Sequence, residues 1–252
     1  MRPRRDREVA LTNYRMSELT IVRHGQARAF QADPDHLTDT GFAQARRLGE
    51  IWAAAGVTFD EVHCGSLRRH CQTEQTVAEV YRSLGKPWPD VMQNPDWNEY
   101  DAEGVNRGLL PHLESVDETF RALVAESEKY RGTPEHNRYF QRMFEVLMNT
   151  WLEGKVDIDT FEAFATFKER VTRGIKTLMT SSGNKKVVLF SSGGPIGLCV
   201  QRSLRAPDRA FLDVNWRVRN CSLSRWVYSR DRFTLDSFNS VEHLPAELIT
   251  FR

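Results

Sequence analysis

An arginine and a histidine stand side by side at Arg23-His24, closed by Gly25, at the end of the run LTIVRHG. The residues before them are apolar and β-branched. The segment Leu19 to Gly25 therefore reads as a buried strand whose carboxyl end releases Arg23 and His24 into a loop. The pair offers a fixed cation and a ring nitrogen able to act as a nucleophile. That combination suits phosphoryl chemistry, where positioning and stabilising charge dominate. A second strand end, in KKVVLFSSGG, breaks into Ser191-Ser192-Gly193-Gly194, and Pro195 suits the first turn of the next helix. Glycines there allow close backbone approach, and a helix N-terminus presents free N–H groups to an anion. Parallel α/β sheets bind ligands at the carboxyl ends of their strands, so both turns are candidate site elements.

The elements that must position these turns follow from periodicity. Phe42, Ala45, Leu48, Trp52 and Ala55 recur at helical spacing from Thr40, and Gly56 stops the helix. VTFDEVH is a second strand. Leu67, Cys71, Val77, Val80, Tyr81 and Leu84 mark a helix ending at Gly85, and a proline-spotted stretch runs from Lys86 to Asn98. Residues from about 105 to 158 predict two helices with no strand between them, read as an α-helical insertion capping the main sheet. The alternative is a surface subdomain with no role in the site. Phe164, Phe167, Val171, Ile175 and Leu178 then predict a helix before KKVVLF, and SLSRWVYS and RFTLDSF a terminal strand pair. Strands alternating with helices argue for an α/β sandwich with a mostly parallel sheet.

Composition narrows the class. With 252 residues, one compact domain over 16–252 carrying the insertion is the natural organisation. Residues 1–15 form an N-terminal extension, and Met16 reads as the true start, because the first strand begins two residues later. The extension lacks the apolar core of a secretory signal, and Asp6 and Glu8 interrupt a mitochondrial-type presequence. The 35 Lys+Arg nearly cancel the 34 Asp+Glu, which argues against a general nucleic-acid partner. No apolar run approaches a membrane span. Cys64, Cys71, Cys199 and Cys221 form no C-x-x-C pair and match no zinc spacing, so they read as reduced thiols in a cytoplasmic protein.

Taken in order, the motifs are R-H-G at 23–25, L-T-D-T-G-F-A-Q-A at 37–45, S-L-R-R-H-C-Q-T at 66–73, N-E-Y-D at 98–101 and F-S-S-G-G-P-I at 190–196. This sequence resembles the histidine phosphatase superfamily, also called phosphoglycerate mutase-like, from about Glu18 to the C-terminus. It is most similar to bacterial phosphatase-like members whose first motif reads R-H-G-Q-A. The resemblance implies a three-layer α/β/α sandwich. It assigns His24 as the nucleophile that becomes a phosphohistidine, and Arg23 and Arg69 as the arginines of a phosphate pocket. Arg68 is then a surface neighbour, and Glu99 stands where the family keeps its general acid. No metal or organic cofactor is implied. The physics agrees, since paired guanidiniums can hold the equatorial phosphoryl oxygens while a carboxylic acid protonates the departing alkoxide.

The fourth motif departs from the common pattern. Most of the superfamily reads S-H-G-G there, with the histidine a phosphate ligand; here Ser192 occupies that position, beside Gly193. Losing one transition-state donor costs on the order of 100–1,000-fold in rate. His243, in NSVEHLP, is the spare histidine that could act as an auxiliary, against its reading as a packing residue. His70 is a neighbour of the pocket wall, while His36, His63, His112 and His136 read as solvated or locally hydrogen-bonded. A nucleophile elbow is absent, because Phe190 stands at its first position.

Three functions are thus expected in order. The first is a phosphomonoester hydrolase acting on a small phosphorylated metabolite. The second is a phosphate-ester-binding regulatory protein with weak turnover, motivated by Ser192. The third is a phosphoglycerate mutase, disfavoured because Arg121, Arg131 and Arg138 are isolated in the insertion rather than clustered.

Overall fold

A computed structural model describes residues 16–28, 33–156, 160–181 and 183–251; the N-terminal extension 1–15 lies outside the described residues. Six strands form one sheet: β1 (Ser17–Arg23), β2 (Glu61–Cys64), β3 (Val91–Gln93), β4 (Lys186–Ser191), β5 (Leu223–Tyr228) and β6 (Phe233–Ser240), in the order β3-β2-β4-β1-β5-β6. The pairs β3–β2, β2–β4 and β4–β1 are parallel, and only β5 runs against its neighbours. The register matters for the site. Arg23 lies opposite Ser191, and Cys64 opposite Phe190, so three carboxyl ends finish at one level of the sheet.

Side chains alternate between two cores, as the pleat requires. Leu19, Ile21, Val187, Leu189 and Trp226 face one cluster, and Val22, Val62, Val188 and Phe190 the other. Two helices, α1 (Asp39–Ala54) and α2 (Arg68–Ser83), cover the second face through Ala45, Leu48, Trp52, Val77 and Tyr81. On the first face pack α6 (Phe164–Thr180), α7 (Gly193–Leu204) and the short α8 (Arg209–Asn215), with Phe167, Ile175, Leu198 and Phe211 buried there. Each such large apolar side chain stabilises the fold by about 1.5–3 kcal/mol when fully buried. The result is the expected three-layer sandwich around a mostly parallel sheet.

The differences from expectation have identifiable causes. The second strand, Glu61–Cys64, is shorter than VTFDEVH: Val57 N–H bonds back to the Trp52 carbonyl at 3.0 Å and the Val57 carbonyl accepts from the Tyr81 hydroxyl at 2.9 Å, so the start of that run belongs to the helix end rather than to the sheet. β3 lies within the proline-spotted stretch; all three of its residues are exposed on this edge strand, so no apolar alternation marks it.

The insertion holds three helices rather than two: α3 (Ala102–Val116), α4 (Glu118–Lys129) and α5 (His136–Glu153). Gly108 and Pro111 hide α3 in the sequence. Gly108 is there for packing, since a Cβ would sit 2.6 Å from the Phe161 ring. Leu109, Leu113, Phe120, Leu147, Met148 and Trp151 share a core with Leu19, Ile21 and Phe211, so the insertion buries its apolar faces in the main core. Among the described residues, no helix is long and apolar enough to cross a membrane. All four cysteines are free thiols, as expected.

Candidate active site

The loop after β1 is held from both sides. His24 N–H continues the β1–β4 ladder by donating to the Ser191 carbonyl at 2.9 Å, while the His24 carbonyl accepts from Cys221 N–H at 3.1 Å. Gly25 and Gly41 touch backbone to backbone. A Cβ on Gly25 would lie 2.4 Å from the Gly41 oxygen, and one on Gly41 2.2 Å from the Gln26 oxygen. The glycine of R-H-G is therefore matched to the glycine of L-T-D-T-G. Thr73 closes the other side, accepting from Gly25 N–H at 3.0 Å and donating to the Arg69 carbonyl at 2.7 Å.

His24 is 7% exposed, with its ring Nδ1 2.7 Å from the Gly25 carbonyl oxygen. A carbonyl only accepts, so the proton of the neutral ring sits on Nδ1 and the lone pair on Nε2. Burial, and then the charges of Arg69 and Arg23, hold this imidazole well below the usual 6.5. The Gly25 bond opposes them but does not prevail, so at neutral pH the ring is uncharged and Nε2 carries a free lone pair.

Both arginines are fixed from behind. Arg69 occupies the first turn of α2 and pairs with Asp35 (Nη1–Oδ1 2.6 Å). Asp35 also accepts from Arg68 N–H at 2.7 Å, capping a helix whose own N-cap, Leu67, has no side chain to do so. The half-exposed Arg68 side chain turns to Asp33, a surface neighbour as expected. Arg23 Nη1 donates to the carbonyls of Val218 and Phe251, which ties the arginine beside His24 to the C-terminal segment.

Glu99 follows a 3-10 turn at Pro95–Trp97 and sits over the start of α7. Its Oε2 accepts from Gly194 N–H at 3.1 Å and its Oε1 from Tyr100 N–H at 3.2 Å. Of the free N–H groups expected at this helix start, that of Gly194 is taken by Glu99. A Cβ on Gly194 would lie 1.9 Å from Glu99 Oε1, which accounts for the glycine. Gly193 is likewise pressed against Asn215, where a Cβ would be 2.4 Å from Oδ1. Ser192 caps no backbone group; its Oγ lies 2.6 Å from Nε2 of His70, whose ring centroid is 5.8 Å from that of His24.

The structure thus gathers Arg23, His24, Arg69, His70, Glu99, Ser192 and Gly193 at one end of the sheet. It does not bring His243 there. That ring is held by the Cys221 backbone and faces Arg47, beside the core under α1; burial pushes it down to about 4.

Two positioning residues carried no sequence signal: Asp35, in a loop without periodicity, and Arg170, on α6. Arg170 Nη1 donates to the carbonyls of Asp96 (3.1 Å) and Asn98 (2.7 Å), and Nη2 to that of Glu99 (3.0 Å). Its Nε pairs with Glu162 at 2.6 Å, and the guanidinium stacks 4.7 Å over the Phe167 ring. One side chain thereby fixes the backbone that carries Glu99.

Two outcomes follow for stability. Arg170→Met should lower the urea-unfolding free energy by about 3 kcal/mol, because it strands Glu162 and several carbonyls. Arg173→Met, which removes an exposed pair with Asp96, should cost less than about 1 kcal/mol; equal effects would contradict the assignment. The buried histidines set the acid response. Below pH 6.5 the unfolded chain takes up protons that the native rings refuse, so stability falls as pH drops. His243→Phe should flatten that fall between pH 7 and 5 by up to about 2 kcal/mol, and an unchanged slope would show that His243 is not buried neutral.

Comparisons with known proteins agree with this layout. The sequence profile described as histidine phosphatase superfamily (branch 1) matches residues 19–241. A 2,3-bisphosphoglycerate-dependent phosphoglycerate mutase of Azorhizobium caulinodans is 40% identical over 68 residues, a stretch covering 24% of this chain and 32% of that protein. The matched stretch is thus about a third of that relative's length. The alpha-ribazole phosphatase of Shigella flexneri shares the fold at TM-score 0.56 and 21% identity, over 88% of this chain and 96% of that one. A phosphoserine phosphatase mutant of Entamoeba histolytica, in complex with phosphoserine, does so at TM-score 0.59 and 17% identity, over 91% and 100%. With the profile spanning nearly the whole described chain and its first motif at the carboxyl end of β1, this protein belongs to the histidine phosphatase superfamily, branch 1.

Proposed function

We propose that the protein is a phosphomonoester hydrolase acting on a small phosphorylated metabolite through a phosphohistidine on His24. The observation that carries this reading is the fixed tautomer of a neutral, buried imidazole set beside two arginines. In the first step Nε2 of His24 attacks phosphorus, forming the N–P bond as the ester P–O bond breaks. Arg23 and Arg69 hold the phosphoryl oxygens, and Glu99 gives a proton to the departing alkoxide. Water then attacks phosphorus, Glu99 takes its proton, and orthophosphate leaves as the ring is restored. Positive charge comes from the guanidiniums, so the scheme calls for no metal.

A mutase would need cationic residues to hold a second anionic group of its substrate. Arg121 and Arg131, in the insertion, instead bond the Glu114 carbonyl and the Glu128 carboxylate. That favours hydrolysis over transfer back to a bound product. A pure binding role leaves Glu99 without a purpose, although Arg170 and two N–H groups hold it in place.

The test is p-nitrophenyl phosphate hydrolysis from pH 5 to 8 with a chelator present. Activity should persist, and His24→Ala should lower kcat at least about 1,000-fold. Protonation disables the nucleophile, and its pKa in the free protein is depressed, so the acid limb of kcat/KM assigned to His24 should lie below pH 6.5 rather than at it. Chelator-sensitive activity, or an unaffected His24→Ala, would overturn the proposal.

A further inference from the structure

Among the described residues, His70 Nε2 is the one side-chain partner of Ser192 Oγ, at 2.6 Å, and both residues are 0% exposed. Serine at a helix N-cap ordinarily accepts from the backbone two or three residues on. Ser192 does not, so its oxygen is turned toward the imidazole. The other ring nitrogen, Nδ1, is buried without a hydrogen-bond partner. It is seated against Gly65, where a Cβ would be 2.3 Å away, so only a glycine admits the ring in this position. Burial and the nearby charge of Arg69 keep the ring neutral, so it carries one proton.

That proton has two possible places. On Nδ1 it would be an orphaned buried N–H, the rarest kind of unsatisfied group. On Nε2 it is given to Ser192 Oγ. The serine oxygen is then an acceptor toward His70, and its own hydrogen must point elsewhere. The neighbouring space is that of His24, whose ring centroid is 5.8 Å from that of His70.

We infer that His70 is a positioning residue: its Nε2–H donates to Ser192 Oγ and so aims the Ser192 hydroxyl hydrogen at a phosphoryl oxygen on or near His24. The imidazole acts through the serine rather than on the phosphate itself. The inference rests on the hydrolase reading for its rate effect, but its effect on anion binding stands apart from turnover.

The experiment is a double-mutant cycle on Ser192→Ala, His70→Phe and the pair together, with His70→Gln as the variant whose amide can replace the Nε2 donor. Two quantities are read: kcat/KM for p-nitrophenyl phosphate, and the Kd of orthophosphate by calorimetry. Each single variant should lose roughly 100-fold in kcat/KM, as for one removed transition-state donor. The double variant should lose no more than Ser192→Ala alone, because both changes break one unit. His70→Gln should recover to within about tenfold of the wild type, and orthophosphate affinity should show the same non-additive pattern. Losses that multiply in the double variant would overturn the inference. So would a His70→Phe protein with wild-type rate and affinity, or a His70→Gln protein no better than His70→Phe. If the wild type proves unable to hydrolyse the ester, the hydrolase reading fails, and the orthophosphate cycle alone decides the His70–Ser192 coupling.

Discussion

A histidine placed beside two guanidiniums can be a nucleophile at neutral pH only if it is neutral and offers the right nitrogen. Here both conditions come from one arrangement. Burial and the adjacent cations depress the His24 imidazole, while the Gly25 carbonyl takes the Nδ1 proton and leaves Nε2 bare. In the proposed scheme the same arginines that would hold a phosphoryl group also keep the neighbouring imidazole uncharged. A solvent-exposed histidine at the same strand end would be partly protonated and free to change tautomer.

That arrangement depends on backbone geometry more than on any side chain. The Gly25 carbonyl is where it is because the Gly25–Gln26 backbone lies directly on Gly41, at distances no Cβ could tolerate. The sheet register sets Arg23 level with Ser191, so the start of α7 is beside His24. From the far side, Arg170 fixes the Asp96–Glu99 backbone, and the Ser191 hydroxyl donates to the Trp97 carbonyl at 2.7 Å. Glu99 therefore approaches α7 along a path with little freedom, ending on the Gly194 N–H. Asp35 performs the corresponding task for Arg69, caps α2, and belongs to neither element.

What could be read without coordinates was whatever leaves a periodic or clustered trace. The strands β1 and β4, whose buried residues serve both cores, appear as apolar runs, and α1, α2 and α6 as stripes at helical spacing. The residues of R-H-G, the arginine motif and the S-S-G-G turn were visible as chemistry at strand ends. β3 was hidden because an exposed edge strand need not alternate. α3 was hidden because Gly108 and Pro111 are poor helix formers retained for packing and by tertiary context. Arg170 and Asp35 were hidden because their partners are backbone groups and charges distant in sequence, and an isolated Arg or Asp has no pattern. Gly193 and Gly194 were legible as glycines required for close approach, but the approaching groups are Asn215 and Glu99 rather than an anion alone.

The central claim, a phosphoryl acceptor fixed at one nitrogen of His24, is tested most directly by trapping the intermediate. The protein would be mixed with p-nitrophenyl phosphate and quenched in base, where a phosphoramidate survives. The site of the phosphoryl group would then be assigned by peptide mapping and phosphorus NMR. The account predicts a phosphoryl group on Nε2 of His24, absent in His24→Ala. Substrate turnover with the phosphoryl group on Nδ1, on another residue, or on no residue at all would contradict it.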